Sequence, residues 1–137
     1  MFGLLITLIV RLALAVDEKF TGLTQFVGGN CGETTVYDIQ FVDITPWPPS
    51  PGGISEITMQ GEFLKSTFVQ ELVLGTMYNG QIWNYQPVDI NQSYQAGDVV
   101  DFLMLALFPT DAGFYTSTIQ LTAGDHICCW QFQYNIS

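Results

Sequence analysis

Three cysteines, one histidine and thirteen carboxylates are the groups in this chain whose chemistry matters. Cys128 and Cys129 are adjacent, in HICCWQFQYNI, and Cys31 stands far upstream after Gly28-Gly29-Asn30. In the late segment Cys128, Trp130, Phe132, Tyr134 and Ile136 share one parity, and Cys129, Gln131, Gln133 and Asn135 share the other. That period of two marks a half-buried strand. Cys128 should therefore point into a core and Cys129 onto a polar face, where another part of the chain can reach it. We expect Cys31 and Cys129 to form a disulfide that ties the first strand region to the last, leaving one thiol over.

Catalytic and metal chemistry find little support. His126 is the only histidine, which excludes a histidine-rich metal site, and it sits at a strand end beside a turn. No Gly-x-Ser-x-Gly elbow, His-Glu-x-x-His pattern or phosphate-binding glycine loop occurs. Asp89-x-Asn91-x-Ser93 begins like a calcium loop, but Tyr94 stands where glycine is required and Val100 where glutamate is. Asp98 and Asp101 have opposite strand parity, so they do not make an acid–base pair. The expectation is a non-enzymatic protein with no metal and no cofactor. Asn91 and Asn135 each open an N-glycosylation tripeptide, both at positions where exposure is expected.

The elements that position these residues follow from composition. The 137 residues suffice for one domain; 48% are hydrophobic and only 12% charged, so the chain is ordered. A formal charge of −10 argues against nucleic acid as a partner, and singly scattered acids read as a solubilising surface. MFGLLITLIVRLALAV is too short to span a bilayer and ends in a small-x-small pattern, so residues 1–15 read as a cleaved signal peptide and 16–137 as the domain. Arg11 would leave with it, and Lys19 and Lys65 would be the only basic side chains remaining. Secretion, or delivery to an endolysosomal lumen, provides the oxidising setting a disulfide needs.

Alternating apolar segments then recur along the chain. TTVYDIQFVDI places Tyr37, Ile39 and Phe41 on one parity. Thr45-Pro46-Trp47-Pro48-Pro49-Ser50-Pro51-Gly52-Gly53 cannot be a helix or a central strand, and it fits a stiff connector better than a proline-groove ligand. Residues 54–61 and 66–75 are the next strands, with Phe68, Leu72 and Leu74 together on one face of the second. Asn79-Gly80 predicts a hairpin turn into a short strand over 80–85, followed by a polar connection to Gly97. DVVDFLMLALF ends in seven uninterrupted apolar residues, the pattern of a strand buried on both faces. About seven strands with no convincing helix predict an all-β, immunoglobulin-like antiparallel sandwich.

The ordered set of residues resembles the MD-2-related lipid-recognition (ML) family over roughly residues 31–136. It comprises an early cysteine before the first strand, the proline connector 45–52, Gly61-x-Phe63, Pro109…Gly113-x-Tyr115 and Cys129-Trp130-x-Phe132-x-Tyr134-x-Ile136. The resemblance implies a bridge between Cys31 and Cys129, the choice already made from parity. It also implies a lipid partner: a sterol, phospholipid or fatty acyl chain held between two sheets. Transient membrane or receptor contact by a monomer is implied as well. The family's additional disulfides are missing here, so loops around a pocket mouth would be unstapled.

A physical argument runs alongside. Two sheets normally fill the space between them, about 10 Å, with side chains. If they splay at one end, the same lining becomes an apolar cavity between the sheets. Candidate lining residues are Phe41, Met59, Phe68, Leu72, Trp83, Phe102, Met104, Tyr115, Trp130, Phe132 and Tyr134. The competing expectation is an immunoglobulin-like adhesion or assembly module with no ligand cavity.

Overall fold

Apolar–polar alternation runs through nearly every segment of the chain, and each such segment is a strand. The computed structural model describes residues 25–137; the apolar start, Arg11, Lys19 and the cleavage pattern lie outside them. The strands are β1 (Gln25–Phe26), β2 (Gly29–Asn30), β3 (Tyr37–Thr45), β4 (Ile54–Phe63), β5 (Thr67–Tyr78), β6 (Gln81–Tyr94), β7 (Val99–Leu107), β8 (Gly113–Ala123), β9 (Asp125–His126) and β10 (Trp130–Ile136). One sheet has the order β1-β3-β4-β7, and the other β2-β10-β8-β5-β6 with β9 beside β8. Every pairing is antiparallel. The protein is an all-β antiparallel sandwich, as its rhythm of strands predicts.

The core comes from the inner faces of both sheets. Val42, Ile57, Met59 and Met104 of the first meet Leu72, Leu74, Ile119 and Phe132 of the second, all buried. The sandwich has two distinct ends. At one, which we call the proline end, lie the 45–53 connector, the β5–β6 hairpin, the β7–β8 loop and the last residues of β10. At the other, the disulfide end, Cys31 and Cys129 are bonded with a Cα–Cα distance of 4.9 Å. Cys31 N–H also donates to the Cys129 carbonyl at 2.9 Å. The hairpin turn forms as its residues require: Asn79 and Gly80 have φ of 51° and 76°, the left-handed pair of a tight turn that matches strand twist.

Three features depart from the sequence reading. Residues 86–94 are not a connection but the continuation of β6, a fourteen-residue edge strand. Such a strand has no neighbour on one side, so polar residues need not leave it. β7 is not buried on both faces. It is the other sheet's edge, and Val99, Leu103, Leu105 and Leu107 face outward while Phe102, Met104 and Ala106 face the core. A two-layer sandwich has no third layer to cover them.

The third departure is in register. Pairing slips between Ile39 and Phe41 and between Val69 and Glu71. Each slip is a β-bulge, which inserts one residue and reverses the facing of everything beyond it. Tyr37 and Ile39 point inward, but past the bulge Val42 and Ile44 do, so Phe41 is turned to the outside. Likewise Val69 is inward and Phe68 is outward, 52% exposed.

Candidate functional site

Among the described residues a cluster of aromatic rings faces the interior at the proline end, and β8, β10, the 45–53 connector and the residue after β7 build it. Tyr115 of β8 and Tyr134 of β10 are cross-strand partners, and their rings stack with centroids 5.8 Å apart. Phe132 continues the row along β10, 5.8 Å from Tyr134. The connector then folds over them. Trp47 meets Phe132 and Tyr134 edge-on at 5.7 and 6.0 Å, held there because Ser55 Oγ donates to the Pro46 carbonyl at 2.8 Å. Phe108, just beyond β7, meets Tyr134 edge-on at 5.2 Å. These rings come from the second sheet and from the connectors that follow β3 and β7 of the first, and they fill the interior where they meet.

One polar cluster interrupts this lining. Thr76, Ser117 and Tyr134 are buried on adjacent strands, with Thr76 Oγ1 2.8 Å from Ser117 Oγ and Ser117 Oγ 2.9 Å from the Tyr134 hydroxyl. Burial raises the phenol pKa of Tyr134, and the hydroxyls of Ser117 and Thr76 partly offset that. Hydroxyls both donate and accept, so the trio supplies its own partners and leaves no charge inside. The cluster cannot carry acid–base chemistry near neutral pH.

The mouth of this region is the β5–β6 hairpin. A further register slip between Thr76 and Met77 makes Trp83 an extra residue on β6, leaning toward Tyr115 at 6.5 Å. Tyr78 also reaches Tyr115, at 5.0 Å. Tyr78 and Trp83 each remain 39% exposed. Along the side of the mouth the two sheets are joined by one side chain. Gln86 Nε2 donates to the Leu107 carbonyl at 3.0 Å, and Leu107 N–H donates to Gln86 Oε1 at 2.8 Å.

A second aromatic group closes the disulfide end: Tyr37, Phe63, Phe102 and Tyr94, with Phe63 and Tyr94 stacked at 4.8 Å. The Tyr37 hydroxyl donates to the Val100 carbonyl at 2.9 Å. Outside this group a surface cleft of about 500 Å³ runs past the disulfide, lined by Glu33, Gln120, Asp125, His126 and Cys128 among others. It lies on the rim, not between the sheets. Among the described residues no three His, Cys, Asp or Glu side chains are grouped so as to hold a metal ion.

Of the side chains expected to line the interior, Met59, Leu72, Phe102, Met104, Tyr115, Trp130, Phe132 and Tyr134 face it and are buried. Trp83 stands at the mouth, and the bulges have moved Phe41 and Phe68 outside. The sequence reading passes over Trp47, Phe108 and Tyr78, which complete the proline end. Trp47 was hidden in a connector, although a large aromatic amid prolines is itself a signal of inward packing. Asn91 and Asn135 are both exposed on edge or outer positions of the second sheet.

No family model matches this chain, and no curated protein matches it in sequence. Solved structures do match its fold. The C-terminal domain of wzt superposes with a TM-score of 0.63 at 14% identity, covering 85% of this chain and 81% of that one. A Niemann-Pick type C2 protein from Japanese carpenter ant superposes with a TM-score of 0.61 at 12% identity, covering 82% of this chain and 100% of that one. These likenesses place the chain in a class of two-sheet antiparallel sandwiches. At such identities they are likenesses of fold.

Proposed function

We propose that this protein is a non-enzymatic lipid carrier, secreted or endolysosomal, that takes an acyl chain or sterol between its sheets at the proline end. The observation that supports this reading best is the wall of rings there, built by the second sheet and by the connectors that follow β3 and β7, with Asp111 as the carboxylate beside Tyr115. The fold shared with a Niemann-Pick type C2 protein and the ML-type residue pattern point the same way.

The rings meet across the interior, so a ligand enters by displacing them. Trp47 and Phe108 stand on connectors rather than strands, and Gln86 joins the β6 and β7 edges through a side-chain amide rather than a strand ladder. Rotating these side chains spreads the sheets without breaking a strand pairing. A sixteen-carbon tail offers about 10 kcal/mol of burial before ordering costs, at about 0.8 kcal/mol per CH₂. That is enough to drive such a rearrangement.

One observation favours the assembly-module reading: side chains of both sheets already occupy the interior, and β7 displays an apolar row. Native mass spectrometry of the secreted protein, with organic extraction, separates the two. A carrier gives a mass excess that extraction releases as lipid, and it takes up a fluorescent fatty acid that unlabelled lipid displaces. Protein of bare mass that takes up neither sterol nor fatty acid would sink the carrier reading.

A further inference from the structure

The geometry points to the proline end as a docking surface for the interface of an uncharged or zwitterionic lipid bilayer, with the β5–β6 hairpin as the inserting element. This rests on the carrier reading and names the surface with which the carrier exchanges its cargo.

Charge is distributed along the axis of the sandwich. Residues 44–55 and 72–88 contain no charged side chain, and from 102 to 124 only Asp111 carries one. These three stretches build most of the proline end, whose only acids among the described residues are Asp111 in the β7–β8 loop and the exposed Glu56 paired with Thr45. Glu33, Asp38, Glu62, Asp98 and Asp125 lie at the disulfide end, as does Lys65. A basic protein partner would be drawn to the acidic end. The proline end, with no basic side chain among the described residues and few acids, offers no attraction to an anionic surface and loses little hydration on meeting an uncharged one.

Shape and residue type select the partner further. Gln86 is level with Leu107, the last residue of β7, and the hairpin continues past it through Gln81. At strand rise those five residues project roughly 15 Å. The projection carries large apolar or aromatic side chains on both faces, with the amides of Asn79, Gln81 and Asn84 among them. Met77 and Ile82 are paired on the outer face, Ile82 being 61% exposed, and Tyr78 and Trp83 lie on the inner one. Phe114 of β8 and Ile54 of β4 are exposed at the same end. A convex finger of this kind matches no flat protein face, whereas tryptophan and tyrosine beside isoleucine and methionine suit the headgroup boundary of a bilayer. Trp83 also touches Tyr115, so the finger is continuous with the ring-lined interior.

The test uses phosphatidylcholine vesicles and protein with no sugar on Asn135, which pairs with Phe114. Wild type floats with the vesicles, and lipids brominated on their chains quench its tryptophan fluorescence. Ile82→Asp weakens binding by about tenfold or more, since a carboxylate is costly at that depth. Phe68→Asp, 52% exposed but at the disulfide end, changes binding by less than about twofold. Adding phosphatidylserine weakens wild-type binding at low salt, because the chain is acidic. Uptake of a short-chain fluorescent fatty acid from vesicle-free solution is the same in wild type and Ile82→Asp.

Three results overturn the assignment: no vesicle binding by wild type, equal loss in both aspartate variants, or a wild-type dimer that Ile82→Asp dissolves, which would make a second copy the occupant. If Ile82→Asp abolishes vesicle binding while neither protein takes up fatty acid, the docking surface stands and the carrier reading falls.

Discussion

Cys129, the residue before β10 and on its polar parity, is bonded to Cys31 across a separation of 98 residues, while its neighbour Cys128 is buried and its thiol is pushed up to about 11 by burial. One position along the chain separates a covalent tie from an inert core side chain. Cys129→Ser should therefore cost about 2–5 kcal/mol in urea unfolding, the usual range for a native bridge closing a long loop. Cys128→Ala should cost about 1 kcal/mol, as the loss of a small buried group. The reverse order would mean the pairing is wrong. Asp43 offers a second residue-level test. Burial, with a smaller contribution from Asp101, raises its carboxyl from its usual 3.8 to about 6, and its buried Oδ1 accepts no hydrogen bond. The native state then holds a proton that the unfolded chain has lost between those values. Stability due to this group is full below about pH 4 and is lost as pH rises through about 6. Asp43→Asn should abolish that part of the slope of urea midpoint against pH between 4.5 and 7; an unchanged slope would remove Asp43 as its source.

At the scale of elements, β6 and β7 are the edge strands on one side of the sandwich, with β1 and β2 outermost on the other, and Gln86 joins β6 to β7 by imitating one residue of a strand. Its amide gives Leu107 both a donor and an acceptor, as a paired strand would. Gln86→Ala should cost about 1 kcal/mol, the net worth of such bonds. It should also speed hydrogen exchange at the Leu107 amide while leaving the Phe108 amide, bonded to the Gly53 carbonyl at 2.9 Å, unchanged. If both amides accelerate together, the whole β7 end is loosening and the clamp is not local. Bulges dominate what was hard to read at this scale. Tyr37, Ile39 and Phe41 share a parity in the sequence, yet a single inserted residue turns Phe41 away from the face the other two share. Nothing in the local composition announces such an insertion, because it depends on the register of the partner strand β4.

At the scale of the whole molecule, a ring-rich end with few charges and an acidic, disulfide-closed end are the two poles of one sandwich. The strand rhythm, the hairpin at Asn79-Gly80, the bridge and most of the inward-facing set are determined by the sequence alone. They rest on near-neighbour physics: side-chain period, backbone freedom at glycine and asparagine, and which parity carries polar groups. Even the two uncharged stretches, and the third with its single Asp111, can be read off the chain one by one. Only the tertiary structure decided that they converge, that β7 lies at an edge with leucines turned to water, and that Phe41 and Phe68 face outward. Those outcomes depend on which strand neighbours which and on where the register slips, and both are settled by contacts between residues far apart in the chain.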